Sequence, residues 1–347
     1  MKYDITFHPS WWHVHAGIDF TRDFFDNPQY RMECDIKMRR ALYDHFGDFG
    51  LGEKAPMKRP LLGTDLLAAG YLYSELMGCQ VKYQADNSPQ VICRELDEDD
   101  IGEIYAPQLE TSEVWQRTQK QIDFLLDQFG YVESYINLQG IQNISMDLMG
   151  QEAMTVFYTA PEEAVHLLQK ITNLSISVGK HLKMLTDDIS GGVTAIVRKV
   201  SPDVYLTSNC SVEMISNEMY EKFLLPCDRR MAEAFGSFGV HHCGGTMEHV
   251  VEGYQKIPNL EFAEVGAFSD LALVRSRLPG VFLNARYSPA RLLEATEEEM
   301  IREVQALAAA GQENGGLLSV SCVGIDQHAT DDKIRSFLKA CQETATA

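Results

Sequence analysis

No run of lysine and arginine rises out of this sequence, in which 50 Asp and Glu outnumber 30 Lys and Arg for a formal net charge of −20. A surface this acidic repels phosphate backbones and anionic headgroups, so nucleic acid and membrane are excluded as expected partners. No apolar stretch approaches the roughly 20 residues needed to span a bilayer. The N-terminus, Met1-Lys2-Tyr3-Asp4-Ile5-Thr6-Phe7-His8, has no apolar signal core. Eight cysteines, at 34, 79, 93, 210, 227, 243, 322 and 341, lack the close, regular spacing of a small secreted disulfide framework. A reducing, cytoplasmic setting is the expectation.

What is present is material for a large core: 347 residues, 45% of them hydrophobic, enough for one big α/β domain or two smaller ones. Residues 1 to about 60 are rich in aromatic and charged side chains, with Trp11-Trp12, Phe20, Phe24-Phe25 and Tyr30 ahead of a helix-like stretch from Met32 to Phe46. This segment reads as an extension capping the remainder, residues 61–347. Packing of Trp11, Trp12, His13 and His15 against the rest is the main reading, and closure over a pocket mouth the alternative. Cys79 to Gln84 and Val91 to Arg94 read as a hairpin around a turn at Asn87-Ser88-Pro89.

Beyond about residue 112, strand-like and helix-like segments alternate. Helices are expected over Gln119–Phe129, Pro161–Leu185 and Asn217–Phe235, and strands over Tyr131–Leu138, Val204–Thr207, 238–242, 260–265, 281–285 and 317–321. Thr296 and Glu299 form a capping-box pair ahead of Met300, Ile301, Val304 and Leu307. Single strands separated by helices imply parallel βα units. So many in one series favour a closed (β/α)8 TIM barrel over two domains.

Two apolar runs end in residues that bind metals. Phe238-Gly239-Val240-His241-His242-Cys243 places His241 and Cys243 on one strand face and turns His242 to the other; Leu317-Leu318-Ser319-Val320-Ser321-Cys322 ends in a third such residue. In a barrel, chemistry sits at the C-terminal ends of the strands, where all three occur. A Cys2His set leaves the fourth position of a tetrahedral zinc open, which is the catalytic pattern. Glu264, at the end of the next strand, is a candidate fourth ligand, with hydrogen bonding to a ligand as the equal alternative. Asn209, Cys210, Gln142 and Asn143 follow other strands and are candidates to contact substrate. Cys210 reads as pocket lining rather than as a ligand, and loop capping is the alternative for Gln142 and Asn143.

The His241-x-Cys243-Gly244 pattern resembles the uroporphyrinogen decarboxylase superfamily, as do the later Cys322 after Gly315-Gly316 and the segment Ser216 to Pro226. Within it, the resemblance is to the zinc-dependent, corrinoid-linked methyltransferase branch, over roughly residues 60 to 342. It implies a TIM barrel, a zinc held by His241, Cys243 and Cys322, and methyl transfer to or from the cobalt of a corrinoid. The corrinoid is expected on a separate protein: Asp326-Gln327-His328 begins like an Asp-x-His-x-x-Gly cobalt-ligating motif, but Asp331 stands where Gly is required. The expected substrate is a small methylated donor of the aryl methyl ether, methanol or methylamine type, giving O-demethylation or its amine counterpart. Transfer from methyl-cobalt to a thiol or folate is the reverse option. A metal-free decarboxylase is the rival, with Arg198 or Arg286 lining its cavity. The early Arg motif that holds porphyrin carboxylates in true uroporphyrinogen decarboxylases is missing.

Overall fold

A computed structural model describes residues 1–186, 189 and 195–346. Eleven strands are described: β1 (Lys2–Phe7), β2 (Leu61–Gly63), β3 (Gln80–Gln84), β4 (Asn87–Ile92), β5 (Glu133–Tyr135), β6 (Leu138–Gln139), β7 (Tyr205–Ser208), β8 (Phe238–His241), β9 (Leu260–Val265), β10 (Phe282–Tyr287) and β11 (Leu318–Ile325). Seven form one parallel sheet in the order β1-β11-β10-β9-β8-β7-β6. β5 lies in line with β6, two residues earlier in the chain, and pairs in parallel with β2. The strands thus follow one another as in an eight-membered ring. No pairing joins β1 to β2 among the described residues, so the expected closed barrel is a seven-stranded curled sheet with a short parallel pair beside it. The hairpin β3–β4 stands apart from this sheet, and its turn falls at Ala85-Asp86 rather than at Asn87-Ser88-Pro89.

The expected boundary near residue 60 does not separate an extension from a barrel, because β1 is a strand of the main sheet, paired with β11 from Lys2 to Phe7. Helices pack outside it. Trp11 and Trp12 are fully buried, Trp11 stacking on Phe7 at 3.9 Å between ring centroids and Trp12 donating Nε1–H to the Leu66 carbonyl at 3.1 Å. At about 25 cal/mol per Å² over a Trp surface, each contributes about 4–6 kcal/mol of transfer energy. That holds the segment down as structure and decides against a lid made of these rings.

Alternation along the strands divides the interior into layers. At the base, Val204, Leu206, Phe262 and Phe282 form an apolar cluster of their own, plugged by Ile196 and Val197 of the helix Ile196–Val200. Gly239 belongs there because a Cβ would stand 3.1–3.2 Å from Leu206, Val204 and Phe262. Two residues further along each strand the same face turns polar: Ser208, His241, Glu264, Asn284 and Ser321. The opposite faces meet the helices, as where Tyr287 packs on Phe337 at 5.0 Å and Tyr205 stacks on Phe235 at 4.3 Å.

Arg31, in the helix Pro28–Phe46, ties the N-terminal helices to β2. Its buried guanidinium donates to the carbonyls of Leu61, Phe24 and Phe25 and to Gln121 Oε1. Arg31→Met would leave several of these acceptors buried and unpaired. The expected loss is on the order of 3 kcal/mol of unfolding free energy, read as a lower midpoint in a urea titration.

Candidate metal centre

The site is built where β7 and β8 end. β7 finishes at Ser208 and the chain turns at Asn209 into the 3-10 helix Cys210–Met214. Asn143, on the helix Ile141–Met149, pins this turn: its Nδ2 donates to the Ser208 carbonyl at 2.8 Å and its Oδ1 accepts from the Ser211 amide at 2.9 Å. Asn209 faces the other way. Its backbone N–H donates to the His241 carbonyl, and its Nδ2 reaches Asp228 at 2.9 Å. Asp228 also accepts from the Tyr220 hydroxyl, and burial raises its carboxyl to about 6.

After His241 ends β8, Cys243 emerges at the surface of the cavity and the chain passes through Gly244-Gly245. Glu213 accepts from the Gly245 amide at 2.7 Å, and a Cβ on Gly244 would meet the Glu213 carboxylate at 2.2 Å. Glycine there lets the two cysteine-bearing turns close on each other. Cys210 Sγ and Cys243 Sγ are 2.7 Å apart, and one ligand atom from each of Cys210, His241 and Cys243 falls within 4.8 Å of the others. The Cys210 S–H stabilises a thiolate at Cys243 and draws its pKa well below the usual thiol range, helped by His241 and by Arg286; the Cys210 pKa is pushed up in return.

Behind the imidazole lies Glu264, with no solvent exposure. Its Oε2 is hydrogen-bonded to His241 Nδ1, and its Oε1 accepts from Asn284 Nδ2 at 2.9 Å. Asn284 is held in turn by Ser321 and Ser319. With Nδ1 committed to the carboxylate, Nε2 is the nitrogen presented to a metal, the carboxylate–histidine arrangement that orients a ligand imidazole. Glu264 takes the hydrogen-bonding alternative and is not part of the three-residue group.

Cys322 is not part of that group either. β11 runs on to Ile325, so Cys322 lies inside the strand, and alternation decides its direction. Ser319 and Ser321 meet Asn284, and Val323 lines the cavity, so Cys322 points outward with Leu318 and Val320. It is fully buried near Cys341 of the helix Asp331–Thr346, and burial pushes its thiol up to about 12. Cys210 stands in the place expected of Cys322. The signal for it was its position at the end of the strand before the His-x-Cys strand.

His242 is fully buried against Tyr254 and the Thr246 carbonyl, with its basicity lowered to about 4 by burial, so alternation assigned it correctly to the outer face. Gln142 sits on a helix rather than in a loop, is 1% exposed, and has neither amide atom partnered; it does not line the cavity. Asn209 does not line it either. Of the four expected substrate contacts, Cys210 and Asn143 are on the wall, together with His241, Cys243, Asp147 and Arg286, around a volume of about 840 Å³. Arg198 instead stacks on Tyr135, 4.0 Å from the ring centroid.

An α/β protein of curled parallel sheet, with two thiols and an oriented imidazole at the C-terminal ends of its strands, is thereby defined. The chain belongs to the uroporphyrinogen decarboxylase (URO-D) family, whose family model matches residues 67–344. Its fold is similar to that of a methyltransferase from Methanosarcina mazei, with a TM-score of 0.68 and 14% identity over 98% of this chain and 92% of that one. No curated protein shows significant sequence similarity to the chain. Among the described residues, no helix is long and apolar enough to cross a membrane.

The donor set fits zinc: two sulfurs and one nitrogen, with a carboxylate fixing the imidazole from behind. In zinc-reconstituted protein, Cys210→Ser and Cys243→Ser are each expected to lose stoichiometric metal in elemental analysis after dialysis, whereas Cys322→Ser keeps it. Glu264→Gln is expected to weaken zinc roughly 10- to 100-fold in a competition titration with a chromogenic chelator.

Proposed function

We propose that this chain is a zinc-dependent methyltransferase that moves a methyl group between a small substrate and the cobalt of a separate corrinoid protein. The observation that carries the reading is the Cys210–His241–Cys243 group on the wall of the cavity at the C-terminal ends of the strands. Membership of the URO-D family and the fold likeness to a methyltransferase support it. Cys210, His241 and Cys243 would hold the zinc, which supplies a Lewis acid for the substrate heteroatom and favours a thiol as its thiolate.

The chain's own residues do the positioning. Glu264 fixes the imidazole, Asn143 fixes the turn carrying Cys210, and the contact of Glu213 with Gly244-Gly245 fixes the turn carrying Cys243. In the demethylating direction the methyl passes to reduced cobalt, the electron pair of the broken bond stays on the heteroatom, and that atom takes up a proton. In the reverse direction the thiol would give up its proton, its sulfur would form the new bond to the methyl group, and the electron pair of the broken cobalt–carbon bond would return the cobalt to its reduced state. Trp11 and Trp12, packed on Phe7 and bonded to the Leu66 carbonyl, offer no aromatic surface to a substrate and so do not favour an aryl ether over the other donors. The metal-free decarboxylase loses ground because Arg286 is the only Lys or Arg on the described wall, too little for a substrate bearing many carboxylates.

The test is conversion between cobalt(I) and methyl-cobalt(III) on a corrinoid protein, followed optically with a panel of methyl donors and, in reverse, with thiols. Turnover is expected to vanish on chelation, return with zinc, and fall at least about 100-fold in Cys210→Ser, the range for loss of a group that stabilises the reacting atom. Turnover indifferent to the chelator would sink the reading.

A further inference from the structure

Among the described residues, the guanidiniums that tie the fold together have their acceptors in place. Arg31 is met by three carbonyls and an amide oxygen, and Arg275 by the carbonyls of Gly311, Leu278, Pro279, Val281 and Leu317. Arg59 lies between Asp35 and Asp65. Arg286 breaks the pattern: its Nη1 is sealed from solvent and has no hydrogen-bond partner. In a chain with 50 acidic side chains this is a vacancy in the charge pattern, since burying a donor unpaired costs free energy.

The place of Arg286 says what the vacancy is for. On β10 it shares a face with Asn284, two residues nearer the C-terminal end, so it stands one step, about 6.6 Å, above the polar layer of His241 and Glu264. It lines the same cavity as Cys210, His241 and Cys243. Asp147, also on that wall, accepts instead from Ser74 Oγ at 2.5 Å and Gln139 Nε2 at 3.2 Å. Were Cys210 and Cys243 to hold a dication as thiolates, the three would carry no net charge together, and Arg286 would remain as a full positive charge facing the substrate space.

We infer that Arg286 is a specificity residue that binds a carboxylate of the substrate, so that the reacting molecule is a small organic acid whose sulfur, oxygen or nitrogen lies a few bonds from its carboxylate. This rests on the reading that Cys210, His241 and Cys243 hold the reacting heteroatom. A planar guanidinium matches the two oxygens of a carboxylate through paired N–H donors, and neither methanol nor a methylamine offers such a pair of acceptors.

The test is calorimetric binding of 3-mercaptopropionate against 3-mercaptopropanamide to zinc-loaded protein. The acid is expected to bind roughly 10- to 100-fold tighter than the amide, the range for one charge-assisted contact. Arg286→Gln should abolish that preference with zinc content unchanged, and Arg286→Lys should retain part of it. Propionate against propanamide, which carry no sulfur, read the guanidinium alone, and their smaller preference should survive in Cys210→Ser. Equal binding of acid and amide to the native protein, or a preference that persists in Arg286→Gln, would overturn the inference. Failure of the native protein to bind zinc, with the propionate preference intact, would overturn the metal reading and leave the carboxylate site standing.

Discussion

The hydrogen bond between Glu264 and His241 is the contact on which the arrangement of the site depends, because it places a carboxylate with no solvent exposure inside the sheet's concave face. An unpaired charge there would cost several kcal/mol. The chain meets that cost with a relay across neighbouring strands: His241 on β8, Glu264 on β9, Asn284 on β10, and Ser319 and Ser321 on β11. Each member is partnered by the next, the condition under which a buried polar network stiffens a core instead of weakening it. The imidazole therefore has one orientation, and the metal-facing nitrogen is decided by the far side of the ring.

The same relay fixes register. A slip of one residue in β9 would replace Glu264 by Ala263 or Val265, and a slip in β10 would bring Ala285 inward, leaving neighbouring polar groups without partners. Below the relay, the cluster of Val204, Leu206, Phe262 and Phe282 demands apolar side chains two residues earlier on the same faces. Apolar base and polar shelf agree on one alignment of the strands. That alignment brings the turns after β7 and β8 to equal height, where Cys210 and Cys243 meet.

These features explain what could be read from the residues alone. Buried parallel strands are continuous apolar runs, so β8, β9 and β10 stood out, and alternation placed His241 inward and His242 outward. The strand end was harder to see. Ser321-Cys322 looks like a terminus, yet Val323-Gly324-Ile325 continue β11 alongside β1, and a cysteine inside a strand obeys alternation rather than proximity to the end. β1 was missed although Lys2-Tyr3-Asp4-Ile5-Thr6-Phe7 alternates polar and apolar as a strand does; its polar positions Asp4 and Thr6 are buried. Cys210 was visible but discounted, since no second ligand lies beside it in the chain; its partners arrive from β8, a pairing of strands that no local pattern encodes. Gln142 and Asn143 illustrate the same limit on one helix, where successive residues point to different surroundings.

Charge completes the picture. A net charge of −20 slows the approach of a small anion, but that field is screened beyond about 8–10 Å at physiological salt. Within the cavity the balance is set by the few groups on its wall, and there Asp147 is occupied by Ser74 and Gln139 while Arg286 keeps an Nη1 with no hydrogen-bond partner. Long-range repulsion acts on the rate of encounter, whereas a desolvated guanidinium acts on the bound state. An acidic protein can therefore select an acidic substrate, provided the cation is sunk beside the reacting group and left without a partner of its own. Arg286 meets both conditions, while Arg31, Arg59 and Arg275, each with acceptors to spare, serve the fold.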